Sequence, residues 1–241
     1  MGAIRYALPN LLTATSFLLA LASIVSAELG HLEQAGWFIV WCILLDVADG
    51  IAARLLKATS SFGAEFDSFA DLVAFGLAPA SLVLHYVWQT YDGVATVWIA
   101  ASCAIYALLA ALRLARFNSV APVQAGWFRG VPTTVCGALI STGIIVLVRH
   151  EDLATLNWPV YLSVAMAVLG IGMISNLRFP KLALSSNRLL NIPHVANVLG
   201  LYICGSLRIW PEYQFVAAVL ILSGGLLIGG LRPRVPMEPT R

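Results

Sequence analysis

Apolar stretches recur along the whole chain, separated by short polar breaks. They fall at about 11–27, 35–56, 64–88, 94–116, 131–149, 155–176, 193–210 and 213–231. Coiled as a helix, each can cross the roughly 30 Å hydrocarbon core of a bilayer. The pattern predicts an all-α, polytopic membrane protein with about eight transmembrane helices. The opening MGAIRYALPN is mildly amphipathic, and a short N-terminal interfacial segment is expected there, with Pro9 starting the first span. No small-residue cleavage site accompanies the first apolar run, so a span rather than a leader is expected. The seventh run is interrupted by Asn197 and ends near Arg208.

No soluble domain, linker or low-complexity tract separates these runs. One integral membrane domain is expected over 1–241, with extra C-terminal spans at about 193–231. The GGLLIGG stretch at 224–230 offers a small-residue face for close packing within the chain. Composition supports the same class: 60% of residues are hydrophobic, 11% are charged, and mean hydropathy is +0.86. That excludes an ordinary soluble domain. A net charge of +2 gives no reason to expect nucleic acid as a partner. Cys42, Cys103, Cys136 and Cys204 lie in apolar sequence at no ligand-like spacing, so they read as small buried side chains.

Charge sets the orientation. With a cytoplasmic N-terminus, twelve of the fourteen Lys and Arg residues fall on the inner side and only Arg149 and Arg208 on the outer. By the positive-inside rule both termini are cytoplasmic. Acidic residues sort differently. Glu28, Glu33, Asp92, Glu151, Asp152 and Glu212 lie outside, whereas Asp46, Asp49, Glu65, Asp67 and Asp71 gather in one inner stretch. The inner face is therefore basic, with one concentrated acidic spot.

That spot, residues 44–71, carries the candidate chemistry. Holding an ionised carboxylate at the centre of a spanning helix costs about 2.5–3.5 kcal/mol on insertion scales, and four together repel one another. A bound divalent cation, or a pair, resolves both problems. Asp46 and Asp49 are three apart and Asp67 and Asp71 four apart, so on helices each pair shares a face. The polar KATSSFG between them can turn the chain, bringing the pairs face to face. Hard oxygen ligands suit Mg²⁺ or Mn²⁺ rather than zinc. Gly50 lets a bulky ligand approach or lets helices pack tightly. Arg54, four residues on, offers a planar fork to phosphate or anchors the inner membrane edge. Thr59, Ser60 and Ser61 either donate to phosphate or cap the next helix. A divalent pair beside a basic surface suits phosphoryl transfer, with one carboxylate left partly free as a general base.

Asp46-x-x-Asp49-Gly50-x-x-Ala53-Arg54, eight residues, Gly63-x-x-x-Asp67-x-x-x-Asp71 matches the full signature of the CDP-alcohol phosphotransferases, and the chain resembles that family. The resemblance implies two Mg²⁺ or Mn²⁺ ions held by Asp46, Asp49, Asp67 and Asp71, with Asp71 as the proton acceptor. It implies a CDP-lipid held at Gly50, Ala53, Arg54, Thr59, Ser60 and Gly63. It also implies a homodimer. PNLLT at 9–13, DSFADLVAFGLAPA at 67–80, RLARFN at 113–118, WFRGVPTT at 127–134 and SNLRFPKL at 175–182 further resemble the membrane-embedded type II phosphatidylserine synthases. This likeness places Asn10 and Thr13 near the nucleotide. Ala74 and Thr134 depart from it, where Ser and Pro are usual.

The implied reaction has the hydroxyl of L-serine attack the lipid-bearing phosphate of CDP-diacylglycerol, giving phosphatidylserine and CMP. The serine carboxylate is expected at Arg113, Arg116 or Arg129, with Asn118 nearby; each arginine equally suits an inner-edge anchor. The rival within the family is another acceptor: glycerol 3-phosphate, an inositol phosphate or choline. The rival outside it is an ion-coupled transporter, which predicts acids strung along a path and repeated halves. Neither feature is present.

Overall fold

A computed structural model describes residues 2–58, 60–91, 95–119, 126–150, 152–153, 157–180 and 188–230. In chain order these form α1 (Gly2–Glu28), α2 (Leu32–Leu55), α3 (Ser61–Asp71), a π-helical segment (Leu72–Leu77), α4 (Ala78–Thr90), α5 (Ala95–Ser119), β1 (Trp127–Arg129), α6 (Thr133–Arg149), α7 (Trp158–Ile174), β2 (Arg178–Pro180), α8 (Arg188–Leu207) and α9 (Pro211–Gly230). Every apolar run read from the sequence falls on a helical rod among the described residues. The third rod is compound, with α3, the π segment and α4 running unbroken from Ser61 to Thr90.

Four stretches are long and apolar enough to cross a membrane: Tyr6–Glu28, Ser61–Thr90, Val97–Ser119 and Pro211–Gly230. Thr133–Arg149, Trp158–Ile174 and Ala196–Leu207 are shorter apolar helices. Helix α2 is long enough but carries Glu33, Asp46, Asp49 and Arg54. Large apolar side chains such as Leu18, Val97, Ile171 and Leu220 stand well exposed on the rods. On a soluble protein so much exposed apolar surface invites association; on this one it faces lipid. The chain is a polytopic, largely helical membrane protein.

The structure corrects the sequence reading at the N-terminus. The first ten residues are not a separate interfacial segment: α1 runs without a break from Gly2, with Pro9 inside it. Proline deprives the helix of one hydrogen bond, the one its missing N–H would donate, and α1 nonetheless continues through it. The all-α frame holds, with one short two-stranded ribbon added to it among the described residues. β1 and β2 pair antiparallel, Trp127 opposite Pro180, Phe128 opposite Phe179 and Arg129 opposite Arg178. This ribbon closes the base of the α6–α7 hairpin, and apolar periodicity gives no signal for strands of three residues.

Packing follows from small residues at crossings. α1 ends at Gly30, whose φ of +89° and the bonds His31 N–H to Ser26 O (2.8 Å) and Gly30 N–H to Ala27 O (3.1 Å) reverse the chain into α2. The two helices are then tied by Ser23 Oγ to Ala35 O at 2.8 Å and Cys42 Sγ to Ser16 O at 3.2 Å. The core centres on the π segment, where Phe75 is fully buried against Gly137 and Gly76 meets Ala110. All four cysteines are free and buried, as their apolar context implied. Gly225 and Gly229 of α9 lie so close to Phe179 and to the Arg178 carbonyl that a Cβ at either would overlap them. The small-residue face thus packs within the chain, against the ribbon.

Candidate active site at the α2–α3 hairpin

The acidic stretch folds as a helical hairpin. α2 ends in a cap formed by Ala58 N–H to Ala53 O (2.9 Å) and Lys57 N–H to Arg54 O (3.2 Å), with Lys57 in the left-handed region at φ 50°. Ser60 then opens α3. Its backbone is extended, and its Oγ accepts from Gly63 N–H at 3.0 Å. Thr59 lies outside the described residues.

The hairpin brings Asp46, Asp49 and Asp67 together. One carboxylate oxygen from each lies within 4.8 Å of the other two. Asp49 is buried and Asp46 and Asp67 are half-buried. No Lys or Arg forms an ion pair with them among the described residues. Three like charges in apolar surroundings without a cationic partner need a counter-ion, and an all-oxygen set fits a hard divalent cation. Asp71 is not part of this tight group. It sits one turn after Asp67, where α3 passes into the π segment, and its charge acts on Asp46 and on Arg113.

The group is braced from α1. Thr13 Oγ1 donates to Asp49 Oδ2 at 2.8 Å, which fixes one rotamer of that carboxylate. Beside it opens a cavity of about 150 Å³, lined by Asn10, Thr13, Gly50, Ala53, Ser60 and Gly63 as well as Asp49 and Asp67. Six of the eight positions expected to hold the CDP-lipid therefore border one space. Arg54 packs beside it, with its guanidinium nitrogens 3.8 Å from where a Cβ on Gly50 would lie. A Cβ on Gly63 would stand 3.1 Å from Ser60 Oγ and 3.3 Å from Asn10 Oδ1, so glycine keeps the cavity open there.

The four residues expected at the acceptor separate. Arg113 is buried and donates through Nη1 to Thr133 Oγ1 at 3.0 Å, while its Nε has no partner. The charges of Asp71 and Asp46 act on it. Arg116 is committed elsewhere, donating to the carbonyls of Ile174 (2.6 Å), Met173 (3.3 Å) and Ser175 (3.3 Å) at the end of α7. Arg129 lies on the ribbon opposite Arg178. Asn118 Nδ2 bridges to Ser68 Oγ at 3.0 Å and Glu65 Oε2 at 3.3 Å, tying α5 to α3.

Sequence reasoning missed three supports. Thr13 holds a carboxylate as well as bordering the cavity. Thr133 holds Arg113. Tyr106 donates its buried hydroxyl to the Phe75 carbonyl at 2.8 Å, satisfying an acceptor inside the π segment. Thr13 and Thr133 lie within PNLLT and WFRGVPTT, which already drew attention; nothing around Tyr106 marks it out.

Comparison with known proteins gives an observation independent of this geometry. The family profile described as CDP-alcohol phosphatidyltransferase matches residues 6–173. A CDP-diacylglycerol–serine O-phosphatidyltransferase of Helicobacter pylori is 35% identical over 176 residues, covering 73% of this chain and 72% of its own. That of Bacillus subtilis is 32% identical, covering 72% and 89% respectively. That of Mycobacterium tuberculosis is 31% identical over 225 residues, covering 89% of this chain and 74% of its own. The matched residues contain the whole carboxylate group, its Thr13 brace and Arg113. The chain belongs to the CDP-alcohol phosphatidyltransferase family.

Proposed function

We propose that the chain is a CDP-diacylglycerol–serine O-phosphatidyltransferase, with about eight spans, both termini in the cytoplasm and its site opening there, working as a homodimer. The observation that carries this reading is the convergence of Asp46, Asp49 and Asp67 beside the cavity walled by Asn10, Gly50 and Gly63. The relatives named for this activity supply the substrates.

Asp46, Asp49 and Asp67, with Asp71, are the residues that would hold two Mg²⁺ or Mn²⁺ ions. Bound there, such ions neutralise charge developing on the phosphate oxygens. The chain's own residues do the rest. Asn10, Thr13, Ser60 and the small side of α2 seat the cytidine diphosphate, and Gly50 lets it lie close to the helix. Arg54 offers its fork to a phosphate oxygen. The serine carboxylate reaches Arg113, which among the described residues has no carboxylate within ion-pair distance and no partner for its Nε. Asp71, within electrostatic reach of Arg113, takes the hydroxyl proton. The serine oxygen forms a bond to the lipid-bearing phosphorus, the bond from that phosphorus to the CMP oxygen breaks, and CMP leaves with the electron pair.

The test is a panel. Radiolabelled CDP-diacylglycerol is incubated with serine, glycerol 3-phosphate, inositol phosphate or choline, with Mn²⁺ or Mg²⁺ present or chelated, and the lipids are separated. Phosphatidylserine formed from serine alone, and only with metal, is expected. Asp71→Asn abolishes it, whereas a normal rate in that variant removes Asp71 from the role of base. Another acceptor used in place of serine overturns the substrate assignment.

A further inference from the structure

A second cavity lies at the other end of α2. Glu33 is in the first turn of that helix and Asp46 is thirteen residues further on, about 20 Å along the axis. The cavity has a volume of about 360 Å³ and is lined by Gly30, His31, Glu33, Trp37, Val148 and Arg208, among others. Two of these present opposite charges with unused bonding capacity. Arg208 stacks on the Trp41 ring at 4.3 Å from its centroid, with Phe38 at 5.9 Å, and no carboxylate among the described residues pairs with it. Stacking occupies the face of a guanidinium and leaves its N–H edges free. Glu33 accepts three bonds, from Trp37 Nε1 (3.2 Å), Arg149 Nε (3.0 Å) and Arg149 Nη2 (2.5 Å), and all three go to Oε1. Its Oε2 accepts none among the described residues.

The backbone at this place is held in an unusual conformation. Arg208 and Trp210 both adopt left-handed φ, 56° and 49°, although neither is glycine. Such positions are strained and persist where the surroundings hold them. Here Arg149 Nη2 reaches the Arg208 carbonyl at 3.4 Å and Trp41 Nε1 donates to Gly205 O at 2.9 Å. Arg208 lines the cavity from this fixed turn, and Trp210 beside it is exposed, the placement expected of an aromatic at a membrane edge.

We infer that this cavity binds the headgroup of one zwitterionic phospholipid of the far leaflet. Its phosphate meets the Arg208 guanidinium and its primary ammonium meets Glu33 Oε2. The ligand class is a phosphate with an ammonium a few bonds away, and the position at the end of a spanning helix selects a lipid over a free solute. The inference rests on the membrane reading above but not on the transfer reaction.

Native mass spectrometry of the delipidated protein tests it. Phosphatidylethanolamine, phosphatidylglycerol or free O-phosphoethanolamine is added back to wild type, Arg208→Gln and Glu33→Gln. Wild type is expected to retain one phosphatidylethanolamine and to need about ten times more phosphatidylglycerol for equal occupancy. Arg208→Gln weakens retention of phosphatidylethanolamine about tenfold, and Glu33→Gln removes the preference between the two lipids. CMP release, measured on the same preparations, is unchanged in Arg208→Gln, since the carboxylate group is at the opposite end. Retention unchanged in Arg208→Gln, equal retention of both lipids by wild type, or displacement by equimolar O-phosphoethanolamine would each overturn the proposal. Loss of CMP release in every preparation would count against the enzymatic reading alone.

Discussion

Thr13→Val isolates the contact between α1 and the carboxylate group. The substitution keeps the shape of the side chain and removes one hydroxyl, whose single proton serves Asp49 Oδ2 at 2.8 Å in preference to Pro9 O at 3.1 Å. A hydrogen bond to a charged group contributes about 1.5–3 kcal/mol. At 1.4 kcal/mol per decade, that corresponds to about 10- to 150-fold in an equilibrium constant. Groups standing behind metal ligands typically contribute about 10–100-fold to metal affinity, so two independent routes agree. The assay is CMP release against Mn²⁺ concentration. The half-activating concentration should rise about 10–100-fold in Thr13→Val, with the rate at saturating metal within a few-fold of wild type. Thr13→Ser, which keeps the hydroxyl, should recover most of the loss. If Thr13→Val is half-activated at the wild-type concentration while its melting temperature is unchanged, the brace has no bearing on metal binding.

Three further perturbations probe other joints. Gly63→Val pushes a branched side chain towards Ser60 Oγ and Asn10 Oδ1, so the KM for CDP-diacylglycerol should rise while metal activation stays near wild type; an unchanged KM would show that the cavity does not seat the nucleotide. Tyr106→Phe leaves the Phe75 carbonyl without its partner inside the core, which should cost about 1–3 kcal/mol in thermal unfolding; no loss would mean that the carbonyl finds another donor. Lys57→Gly relieves a left-handed φ at the end of α2 and should stabilise by about 0.5–1 kcal/mol; a lowered melting temperature would contradict the strain argument.

Much of the framework could be read from the order of residues because it depends on local chemistry. Apolar runs give helical rods wherever they occur, and the spacings Asp46/Asp49 and Asp67/Asp71 fix faces on those rods. Ser60 serves as a cap because a serine before a helix can accept from the third N–H. Other features arise only when rods meet. Thr13 reaches Asp49 across thirty-six positions, and nothing near either residue announces the other. Arg113, Arg116 and Arg129 are equivalent on paper, yet only assembly turns Arg116 onto the carbonyls closing α7 and buries Arg113 beside Thr133. The π segment depends on how Phe75 and Gly76 settle against Gly137 and Ala110. The ribbon likewise depends on α9, whose Gly225 and Gly229 admit Phe179 and the Arg178 carbonyl. In the amino-acid order that run promised only a small-residue face.

The central claim is that the gathered carboxylates grip divalent ions. Anomalous diffraction at the manganese edge, from crystals grown with Mn²⁺ and CMP, addresses it most directly. The account predicts manganese peaks within coordination distance of Asp46, Asp49 and Asp67, with Asp71 drawn towards them and the nucleotide filling the space beside Asn10 and Gly63. Ordered carboxylates with no anomalous peak among them, in crystals whose CMP is bound, would contradict it.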